Sequence, residues 1–324
     1  MRAVYCIQYG GVENLKIVEA PTPVIMKNQI LVQVRATTVQ TADWRIRTLE
    51  MPKGMRFMAK LFFGFRKPKQ PIFGTEFAGT VVAVGESVTH FKIGDEVVAA
   101  TGAKYGGHAE FAKVSEKGAV IKKPSSLTVQ EAASIPFGGI TALDFLKYKA
   151  KVKSGDRVIV NGASGSVGVA AIQVAKILGA HVTAVCGSQN VEFVKSLGAD
   201  RVIDYSKTKF WEENEKYNVI FDIVGDLKTT LLINSLAEKG KLVLIAAGIN
   251  QMLEAVAKNL FSNHRIICGV ANESKEMLTE IIGLAESGKY RAIIDKEFPL
   301  EEIAQAHLLV QSRHKRGNVV IRNF

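Results

Sequence analysis

Cysteine is scarce in this sequence. The 324 residues contain three cysteines, Cys6, Cys186 and Cys268, which lie far apart along the chain. A disulfide framework uses several cysteines at regular spacings, and a structural zinc site uses pairs of cysteines a few residues apart. Because neither pattern is present, we expect no disulfide-stabilised fold and no structural zinc site.

Long apolar runs are also absent. No stretch reaches the ~18 uninterrupted apolar residues that a membrane-spanning helix needs. The first residues, MRAVYCIQYGG, have the pattern of a strand and lack the basic segment and apolar core of a secretion signal. The sequence contains neither an internal repeat nor a low-complexity linker. We therefore expect a cytoplasmic protein with no stable membrane insertion.

Acidic residues are fewer than basic ones. The chain has 31 Asp and Glu against 42 Lys and Arg, which gives a formal net charge of +11 and raises the hypothesis of nucleic-acid binding. The basic residues are spread widely, with local clusters at residues 66–69 and 313–316, and no nucleic-acid-binding motif accompanies them. We interpret the charge as a solvated basic surface that also attracts a polyanionic cofactor, and we expect no nucleic-acid partner.

The segment most informative about function is residues 158–185, VIVNGASGSVGVAAIQVAKILGAHVTAV. A β-branched apolar run leads into a turn with Gly162, Gly165 and Gly168, a helical pattern follows as far as Gly179, and a second apolar run closes the segment. This order is typical of the βαβ unit that binds dinucleotides. Glycine lets the backbone approach a pyrophosphate, and the free N–H groups at the start of the helix stabilise its charge.

Two domains are predicted by the chain length and by a change of pattern. A chain of 324 residues exceeds the usual size of a single core. Short β-type runs broken by Gly and Pro fill the first part, and strand and helix patterns alternate from Pro124 onwards. We predict a mostly-β domain formed by residues 1–122 and 266–324, and a doubly wound parallel α/β domain formed by residues 123–265.

Individual elements follow from the same periodicities. Strands are predicted at residues 30–36, 79–84, 96–100, 111–114, 158–160, 182–185, 201–203, 219–223, 241–246, 298–300 and 318–321. Helices are predicted at residues 128–133, 141–150, 275–287 and 303–311, in addition to the helix of the βαβ unit.

Residues 55–66, MRFMAKLFFGFR, mix aromatic and basic side chains. Such a segment can lie on a membrane surface, or it can form a lid or wall of a substrate pocket. We favour the pocket, because a short isolated amphipathic stretch binds membranes only marginally.

A family resemblance is carried by residues 74–85, GTEFAGTVVAVG, continued by Val88, Phe91 and residues 94–97, GDEV. This segment resembles the signature of the medium-chain dehydrogenases/reductases, and further similar segments follow in the family's order. They are ATTVQTADWR at 36–45, AASIPFGGITAL at 132–143 and LGADRVIDY at 197–205. The resemblance implies a GroES-like, mostly-β catalytic domain, a Rossmann domain with a doubly wound parallel sheet, and a cleft between them. The most similar branch is that of the quinone oxidoreductases and enone reductases.

The chain departs from the zinc enzymes of this family at the metal-binding positions. At those places it carries Gln40, Thr75 and Phe137, and the four-cysteine lobe is replaced by residues 102–107, GAKYGG. Zn(II) prefers thiolate and imidazole ligands, an amide and a hydroxyl suit it poorly, and a phenyl ring cannot ligate it. The resemblance therefore implies a zinc-independent reductase.

Without a Lewis acid, an unconjugated ketone lacks a group that stabilises the developing alkoxide. A quinone or an α,β-unsaturated carbonyl spreads the charge itself, and hydrogen-bond donors can stabilise what remains. We expect such a substrate, with Gln40, Asp43, Arg45 and Thr75 as catalytic candidates carried over by position. Asp43 has a structural alternative as a turn cap or salt-bridge partner, and Trp44 is as consistent with the core as with a pocket wall. The six histidines are interpreted as structural or surface residues.

NADPH is the predicted cofactor. An acid at the end of the second strand would select NAD, but residues 186–190 read CGSQN, where Ser188 and Asn190 can donate to a phosphate. Arg201 or Lys207 could add positive charge. The positions that the resemblance assigns to cofactor binding are Thr141, Gly162, Ser164, Gly165, Ser166, Val167, Gly168, Ser188, Asn190, Tyr205, Ala247, Gly248, Val270 and Asn318. Thr141 is also a candidate helix N-cap.

The family resemblance also implies that residues 265–270 form the last Rossmann strand and pair with a second copy in a homodimer. A closed dimer suits an exposed apolar edge, and a covered edge in a monomer is the alternative. Two other functions stay open at this point: a nicotinamide-binding protein with little turnover, and a zinc-free alcohol dehydrogenase.

Overall fold

The computed structural model describes residues 1–261 and 263–322, and the chain forms two compact units. The first unit comprises Met1–Glu50, Phe57–Ile140 and Glu273–Phe324, and the second comprises Met51–Arg56 and Thr141–Asn272.

The elements are numbered along the chain. The strands are β1 (Arg2–Cys6), β2 (Leu15–Glu19), β3 (Gln29–Val39), β4 (Glu76–Val84), β5 (Glu96–Ala100), β6 (Phe111–Ser115), β7 (Ala119–Lys122), β8 (Arg157–Asn161), β9 (His181–Cys186), β10 (Arg201–Asp204), β11 (Tyr217–Asp222), β12 (Leu236–Leu244), β13 (Arg265–Cys268), β14 (Ile294–Pro299) and β15 (Asn318–Arg322). The helices are α1 (Thr41–Thr48), α2 (Arg56–Phe63), α3 (Val129–Ser134), α4 (Pro136–Leu143), α5 (Ser166–Ile177), α6 (Val191–Ser196), α7 (Thr229–Asn234), α8 (Ile249–Phe261), α9 (Lys275–Glu286) and α10 (Ile303–Gln311). A π-helical segment, Asp144–Lys149, follows α4.

The first unit is built on a seven-stranded sheet in the order β14-β15-β3-β4-β5-β7, with β6 also paired to β3. Strand β3 lies at its centre and pairs antiparallel with β4, β6 and β15. Its alternate residues Ile30, Val32 and Val34 are buried against Phe77 and Val81 of β4, as expected for a strand with one face on the core. This is the mostly-β architecture that the family resemblance implies.

The second unit is a six-stranded, all-parallel sheet in the order β10-β9-β8-β11-β12-β13. When its strands are renumbered from one, the order is 3-2-1-4-5-6, the Rossmann order. The strand order reverses between β8 and β11, and in such sheets ligands bind outside the carboxyl ends of the strands at this point. The doubly wound fold predicted from the sequence is confirmed.

The division of the chain differs from the predicted boundaries in two places. Residues 123–140 belong to the first unit, because α3 packs on β3 and β4. Residues 266–272 belong to the second unit, because β13 pairs in parallel with β12. Both segments are placed by contacts with distant parts of the chain.

Most predicted strands and helices agree with the structure within a few residues. Two differ by more: β12 begins at Leu236, five residues before the predicted strand at 241–246, and α4 begins at Pro136, five residues before the predicted helix at 141–150, and gives way to the π-helical segment. Thr141 therefore lies inside a helix, and its interpretation as an N-cap was wrong. Within residues 1–261 and 263–322, no helix has both the length and the apolarity to cross a membrane.

Candidate active site

Gln40 is held in place at the start of α1. It is the N-cap residue, and its backbone N–H donates to Asp43 Oδ2 at 2.7 Å in a reciprocal capping box. The Gln40 side chain is fully buried, and its amide nitrogen lies 2.8 Å from Glu76 Oε1, 2.9 Å from Asn318 Oδ1 and 3.0 Å from Thr38 Oγ1. The N–H groups of this amide are therefore already used inside the protein.

Glu76 is the centre of this buried polar cluster, and the sequence analysis missed it. Thr38 also donates to its Oε1, and the backbone N–H of Phe137 donates to its Oε2 at 2.5 Å. The carboxyl is completely buried, and desolvation raises its pKa to about 7. A single acid inside the apolar run FGTEFAG was the available sequence signal, since a buried carboxyl needs partners or a function.

Thr75 has a different environment from Gln40. Its backbone oxygen accepts from the N–H groups of Thr101 at 2.7 Å and Gly102 at 3.2 Å, which fixes the chain there. The side chain is 5% exposed, and its hydroxyl has no hydrogen-bond partner among the described residues. A buried hydroxyl without a partner is costly, which makes Thr75 Oγ1 a candidate for a hydrogen bond to a ligand.

Asp43 is a structural residue in this geometry. It is fully buried, and besides the Gln40 N–H it accepts from the backbone N–H of Gly74 at 3.1 Å. Desolvation raises its pKa, and the nearby His108 opposes this shift. The carboxyl thus joins α1 to the segment before β4, which favours the turn-cap alternative.

Trp44 and Arg45 complete the segment predicted to be catalytic. Trp44 is 1% exposed and packs in a core with Val39, Phe298 and Leu300, which favours its interpretation as a core residue. The Arg45 guanidinium lies 5.9 Å from the centre of the Trp44 ring, and its side chain is partly exposed.

An aromatic pocket of about 220 Å³ lies in the first unit. Its walls include Phe62 and Phe63 of α2, together with Phe73, Tyr105 and Ile46. The Phe63 and Phe73 rings lie 6.4 Å and 5.9 Å from the Tyr105 ring, and both contacts are inclined. Tyr105 has a φ of 54° and a ψ of −156°, a conformation that a non-glycine residue adopts only when its surroundings impose it. Phe73 of the pocket wall is two positions before Thr75 in the chain, while Gln40, Thr75 and Glu76 are not among the residues that line the pocket.

In the second unit, the three glycines of the turn after β8 have three different roles. Gly162 has a φ of +89°, which makes the sharp turn possible. A Cβ added at Gly168 would lie 2.3 Å from the Gly162 carbonyl oxygen, so only glycine lets α5 pack this closely on the turn. Gly165 is the N-cap of α5, and a Cβ there would have only that oxygen within 4 Å, at 3.9 Å. The open side of Gly165 is where a pyrophosphate can approach.

The other predicted residues of the turn surround this opening. Ser164 lies in the turn itself, and Ser166 and Val167 form the first residues of α5, whose initial N–H groups have no partner within the helix. Next to it, the Asn161 amide donates to Asp222 Oδ1 at 2.7 Å and joins the carboxyl ends of β8 and β11. Asp222 was not predicted, and its role depends on pairing between strands far apart in sequence.

Ser188 follows β9 as predicted, but an acid lies beside it. The Ser188 hydroxyl donates to Asp204 Oδ2 at 2.6 Å and lies 3.1 Å from Ser206 Oγ. Hydrogen bonds from these two hydroxyls lower the pKa of Asp204, and the bond from Ser188 has the larger effect. The sequence analysis looked for an acid after β9, and Asp204 instead ends the neighbouring strand β10. Lys207 Nζ lies 3.8 Å from its carboxylate.

The Arg201 side chain is already engaged in ion pairs. Its guanidinium binds Glu213 at 2.7 Å and Glu215 at 3.1 Å, so the suggestion that it supplies charge for a phosphate is not supported. Tyr205 is largely exposed, with its hydroxyl 3.1 Å from where a Cβ of Gly187 would be. Asn190 is buried at the end of a short 3-10 turn.

The remaining predicted cofactor positions are dispersed. Ala247 and Gly248 follow β12, where a Cβ on Gly248 would lie 2.7 Å from the Lys53 carbonyl oxygen. Val270 is 86% exposed after β13, and Thr141 is buried in α4. Asn318 belongs to the first unit, where it binds Gln40 and the Ile293 carbonyl oxygen, the latter at 3.1 Å.

Comparison with known proteins agrees with this geometry. Residues 26–125 match the alcohol dehydrogenase GroES-like domain, and residues 197–321 match the family described as zinc-binding dehydrogenase. The chain is 34% identical to the "Chloroplast envelope quinone oxidoreductase homolog" of Arabidopsis thaliana over 335 residues, covering 99% of this chain and 98% of the relative. This chain is a medium-chain dehydrogenase/reductase. Its relatives place it in the quinone oxidoreductase-like branch.

Two further relatives of this medium-chain dehydrogenase/reductase bear on its chemistry. The solved structure of a quinone oxidoreductase from Coxiella burnetii superposes with a TM-score of 0.88 at 30% identity, covering 100% of this chain and 99% of the other. The "NADPH-dependent alkenal/one oxidoreductase, chloroplastic" of Arabidopsis thaliana is 29% identical over 99% of this chain and 79% of the relative.

The family's metal-binding positions come together around Glu76 in this member. The Gln40 amide and the Phe137 backbone N–H both donate to the Glu76 carboxyl, and Thr75 directly precedes it. These groups do not fit Zn(II), because an amide bound to other residues, a hydroxyl and a phenyl ring provide no thiolate or imidazole. Among the described residues, no three His, Cys, Asp or Glu side chains are grouped so that they could hold a metal ion.

Proposed function

We propose that this protein is a zinc-independent, NADPH-dependent oxidoreductase that reduces quinones or α,β-unsaturated carbonyl compounds. The observation that carries the proposal is the donor set around Glu76, where an amide and a free hydroxyl occupy the positions of the family's metal ligands. The names of the quinone oxidoreductase and alkenal/one oxidoreductase relatives support this substrate class.

The proposed chemistry follows from residues that suit hydrogen bonding better than they suit Zn(II). When bound, the nicotinamide supplies a hydride to the far carbon of the conjugated system or to the quinone ring. The resulting negative charge is spread over an enolate or a quinol anion, so a neutral hydrogen-bond donor is enough to stabilise it. Thr75 Oγ1 is the group that we assign to this oxygen, because it is a buried hydroxyl without a partner among the described residues and directly precedes Glu76.

Gln40 has a positioning role in this proposal. Its amide nitrogen is bound to Glu76, Thr38 and Asn318, so it holds the cluster together and has no further N–H to offer to a substrate. Desolvation raises the pKa of the buried Glu76 carboxyl to about 7, which favours its neutral, protonated form. The net charge of the site is therefore low.

The aromatic pocket is the proposed binding place for the apolar part of the substrate. Its volume of about 220 Å³ is large enough for one substituted ring, and Phe62, Phe63 and Tyr105 supply flat apolar walls. Phe62 and Phe63 lie at the end of α2. For these two residues, the pocket supports the interpretation of residues 55–66 as a pocket wall.

NADPH is the proposed nicotinamide cofactor, with Ser188, Asn190 and Tyr205 near the adenosine ribose. The hydroxyls of Ser188 and Ser206 donate to the ionised Asp204 carboxylate, and the opposite charge of Lys207 lies 3.8 Å from it. The name of the NADPH-dependent relative supports this choice.

A homodimer in the cytoplasm is the proposed state of the protein. Strand β13 is an edge of its sheet, and α8, which packs on β13, exposes Val256 and Leu260. Unpaired strand edges beside apolar surface favour association. The free thiols of Cys6, Cys186 and Cys268 suit a reducing compartment.

The deciding experiment measures NADPH oxidation with a panel of quinones and enones, before and after treatment with a chelator. We expect turnover that the chelator does not change, weaker turnover with NADH, and none with saturated ketones. Binding of NADPH without turnover of any acceptor would favour the nicotinamide-binding alternative. Stoichiometric zinc together with oxidation of a simple primary alcohol would contradict the proposal and favour an alcohol dehydrogenase.

A further inference from the structure

Helix α2 presents its apolar side chains to solvent. Phe57, Phe62 and the following Phe65 are 65%, 70% and 57% exposed, and Met58 and Leu61 are also exposed. We call these five residues the α2 apolar face. Amphipathic helices of globular proteins normally turn this face to the core, whereas here only Ala59 of the helix is buried.

The exposure of this face is fixed by the surrounding structure. The hydroxyl of Tyr9 donates to the Gly64 carbonyl oxygen at 2.9 Å, and Lys69 Nζ donates to the Leu61 carbonyl oxygen at 2.9 Å. Both bonds hold the C-terminal end of α2 against the rest of the first unit. The aromatic side chains therefore project from a fixed helix.

Positive charge surrounds the same face. Residues 51–75 contain six Lys and Arg and no Asp or Glu. Arg66, Lys67 and Lys69, which follow α2 directly, are all exposed. This surface therefore combines exposed apolar side chains with positively charged ones.

We infer that the α2 apolar face and the basic residues 66–69 dock the protein peripherally on an anionic lipid surface. Helices that lie in the membrane interface typically carry Phe and Leu on one face and Lys and Arg beside it. A short apolar face alone binds weakly, and a basic cluster near anionic headgroups supplies the second attraction. A second copy of this chain is a poor occupant, because two such surfaces repel each other.

The experiment measures sedimentation of the full-length protein with lipid vesicles, without cofactor or substrate, so its result is independent of the proposed reaction. We expect binding to phosphatidylcholine vesicles that contain phosphatidylglycerol, little binding to pure phosphatidylcholine vesicles, and loss of binding at high salt.

Two double variants test the two attractions. Phe57→Ser/Phe65→Ser should weaken binding to the anionic vesicles roughly tenfold, and Arg66→Glu/Lys67→Glu should weaken it by more than about tenfold and remove its salt dependence. Phe62 is left unchanged, because it also lines the aromatic pocket. Thermal unfolding of each variant checks that it is folded.

The control variants change exposed apolar and basic residues elsewhere on the first unit. Val24→Ser/Met26→Ser removes two apolar side chains that are at least as exposed as Phe57 and Phe65, and Lys16→Glu/Lys289→Glu reverses two exposed charges. Both should bind the vesicles like the unchanged protein.

Four results would overturn the inference. They are no binding of the unchanged protein to anionic vesicles, equal binding to both kinds of vesicle, equal losses in the control variants, and a lower molecular mass of Phe57→Ser/Phe65→Ser by light scattering. The last result would mean that a second copy of the chain covers the α2 apolar face.

Discussion

At the scale of single residues, the site is distinguished by which polar atoms already have partners. Gln40 and Thr75 both occupy positions of the family's metal ligands, yet the amide nitrogen of Gln40 is bound to Glu76, 36 positions away in the sequence, while the Thr75 hydroxyl is unbound. No local pattern contains this information. The sequence could name both residues as candidates, and only their tertiary contacts assign different roles.

Replacing Thr75 by Val tests the assignment of the oxyanion donor. We expect kcat to fall roughly a hundredfold, the usual cost of removing one donor to a developing oxyanion. The melting temperature should stay the same or rise, because the substitution removes a buried hydroxyl without a partner. Thr75→Ser, which keeps the hydroxyl, should retain most of the activity, and an unchanged kcat in Thr75→Val would contradict the role.

Replacing Glu76 by Gln tests the buried carboxyl through its pH dependence. The pKa of Glu76 is raised from 4.5 to about 7, so between these values the folded protein keeps a proton that the unfolded chain releases. The raised pKa of Glu76 therefore contributes fully to the free energy of unfolding below pH 4.5. This contribution is lost as the pH rises through about 7. Denaturant titrations across this range should show a loss of a few kcal/mol in the unchanged protein and a smaller loss in Glu76→Gln. Parallel curves would contradict the burial of the charge.

Replacing Asp204 by Asn tests the cofactor preference. The low pKa of Asp204 means a full negative charge beside Ser188, where a ribose 2′-phosphate would bind. Removing this charge should raise kcat/KM for NADPH by roughly fivefold and leave kcat/KM for NADH unchanged. Steady-state kinetics with both cofactors decide. A gain for NADH alone would place Asp204 away from the phosphate.

At the scale of elements, local chemistry predicted the glycine turn that we propose to bind the cofactor. The turn after β8 needs a positive φ at Gly162 and close packing at Gly168, and both requirements are visible in the glycine spacing. The capping box of α3, between Thr128 and Glu131, is likewise a local pattern, and the helix predicted there is confirmed. The π-helical segment at Asp144–Lys149 has no such local signal.

Alanine substitutions at Gly165 and Gly168 separate cofactor binding from folding. Gly168→Ala would place a methyl group 2.3 Å from the Gly162 carbonyl oxygen, so we expect a lower melting temperature. Gly165→Ala has open space around it and should melt like the unchanged protein, yet bind NADPH at least about tenfold more weakly, because the methyl group occupies the approach of the pyrophosphate. Thermal unfolding and fluorescence titration measure the two effects. Equal melting temperatures for both variants would contradict this division of roles.

The helix α2 shows where periodicity alone fails. Its amphipathic pattern predicts a helix, and a helix forms, but the pattern does not say which medium covers the apolar side. The structure divides the segment, with Phe63 and Phe62 at the aromatic pocket and Phe57 and Phe65 exposed. The pocket and the membrane surface therefore stay predictions for different side chains of residues 55–66, with Phe62 common to both.

At the scale of the whole molecule, the chain builds its two units from non-contiguous segments. The C-terminal strand β15 pairs antiparallel with β3, which is part of the first unit. The boundaries near residues 123–140 and 266–272 depend on which sheet each segment packs against, and sequence patterns of similar strands and helices do not contain that choice.

The proposed dimer predicts a particle of twice the 35.3 kDa chain mass by light scattering. Replacing Val256 and Leu260 on α8 by Glu should convert it to a monomer, because both exposed apolar side chains lie on the helix that packs on the β13 edge. Exposed positions tolerate such changes, so the monomer should remain folded by circular dichroism. A single-chain mass for the unchanged protein would remove the dimer from the proposal.

The sequence by itself determined the fold class, the glycine turn after β8 and the identity of the residues at the family's metal positions. It could do so because glycine spacing, capping and hydrophobic period act over a few neighbouring residues. The tertiary structure alone decided that Glu76 gathers Gln40, Thr38 and Phe137, that Asp204 lies beside Ser188, and that the α2 apolar face is exposed. Each of these depends on strands or helices that meet only in the folded chain, where burial and hydrogen bonding set the charge and the availability of every polar group.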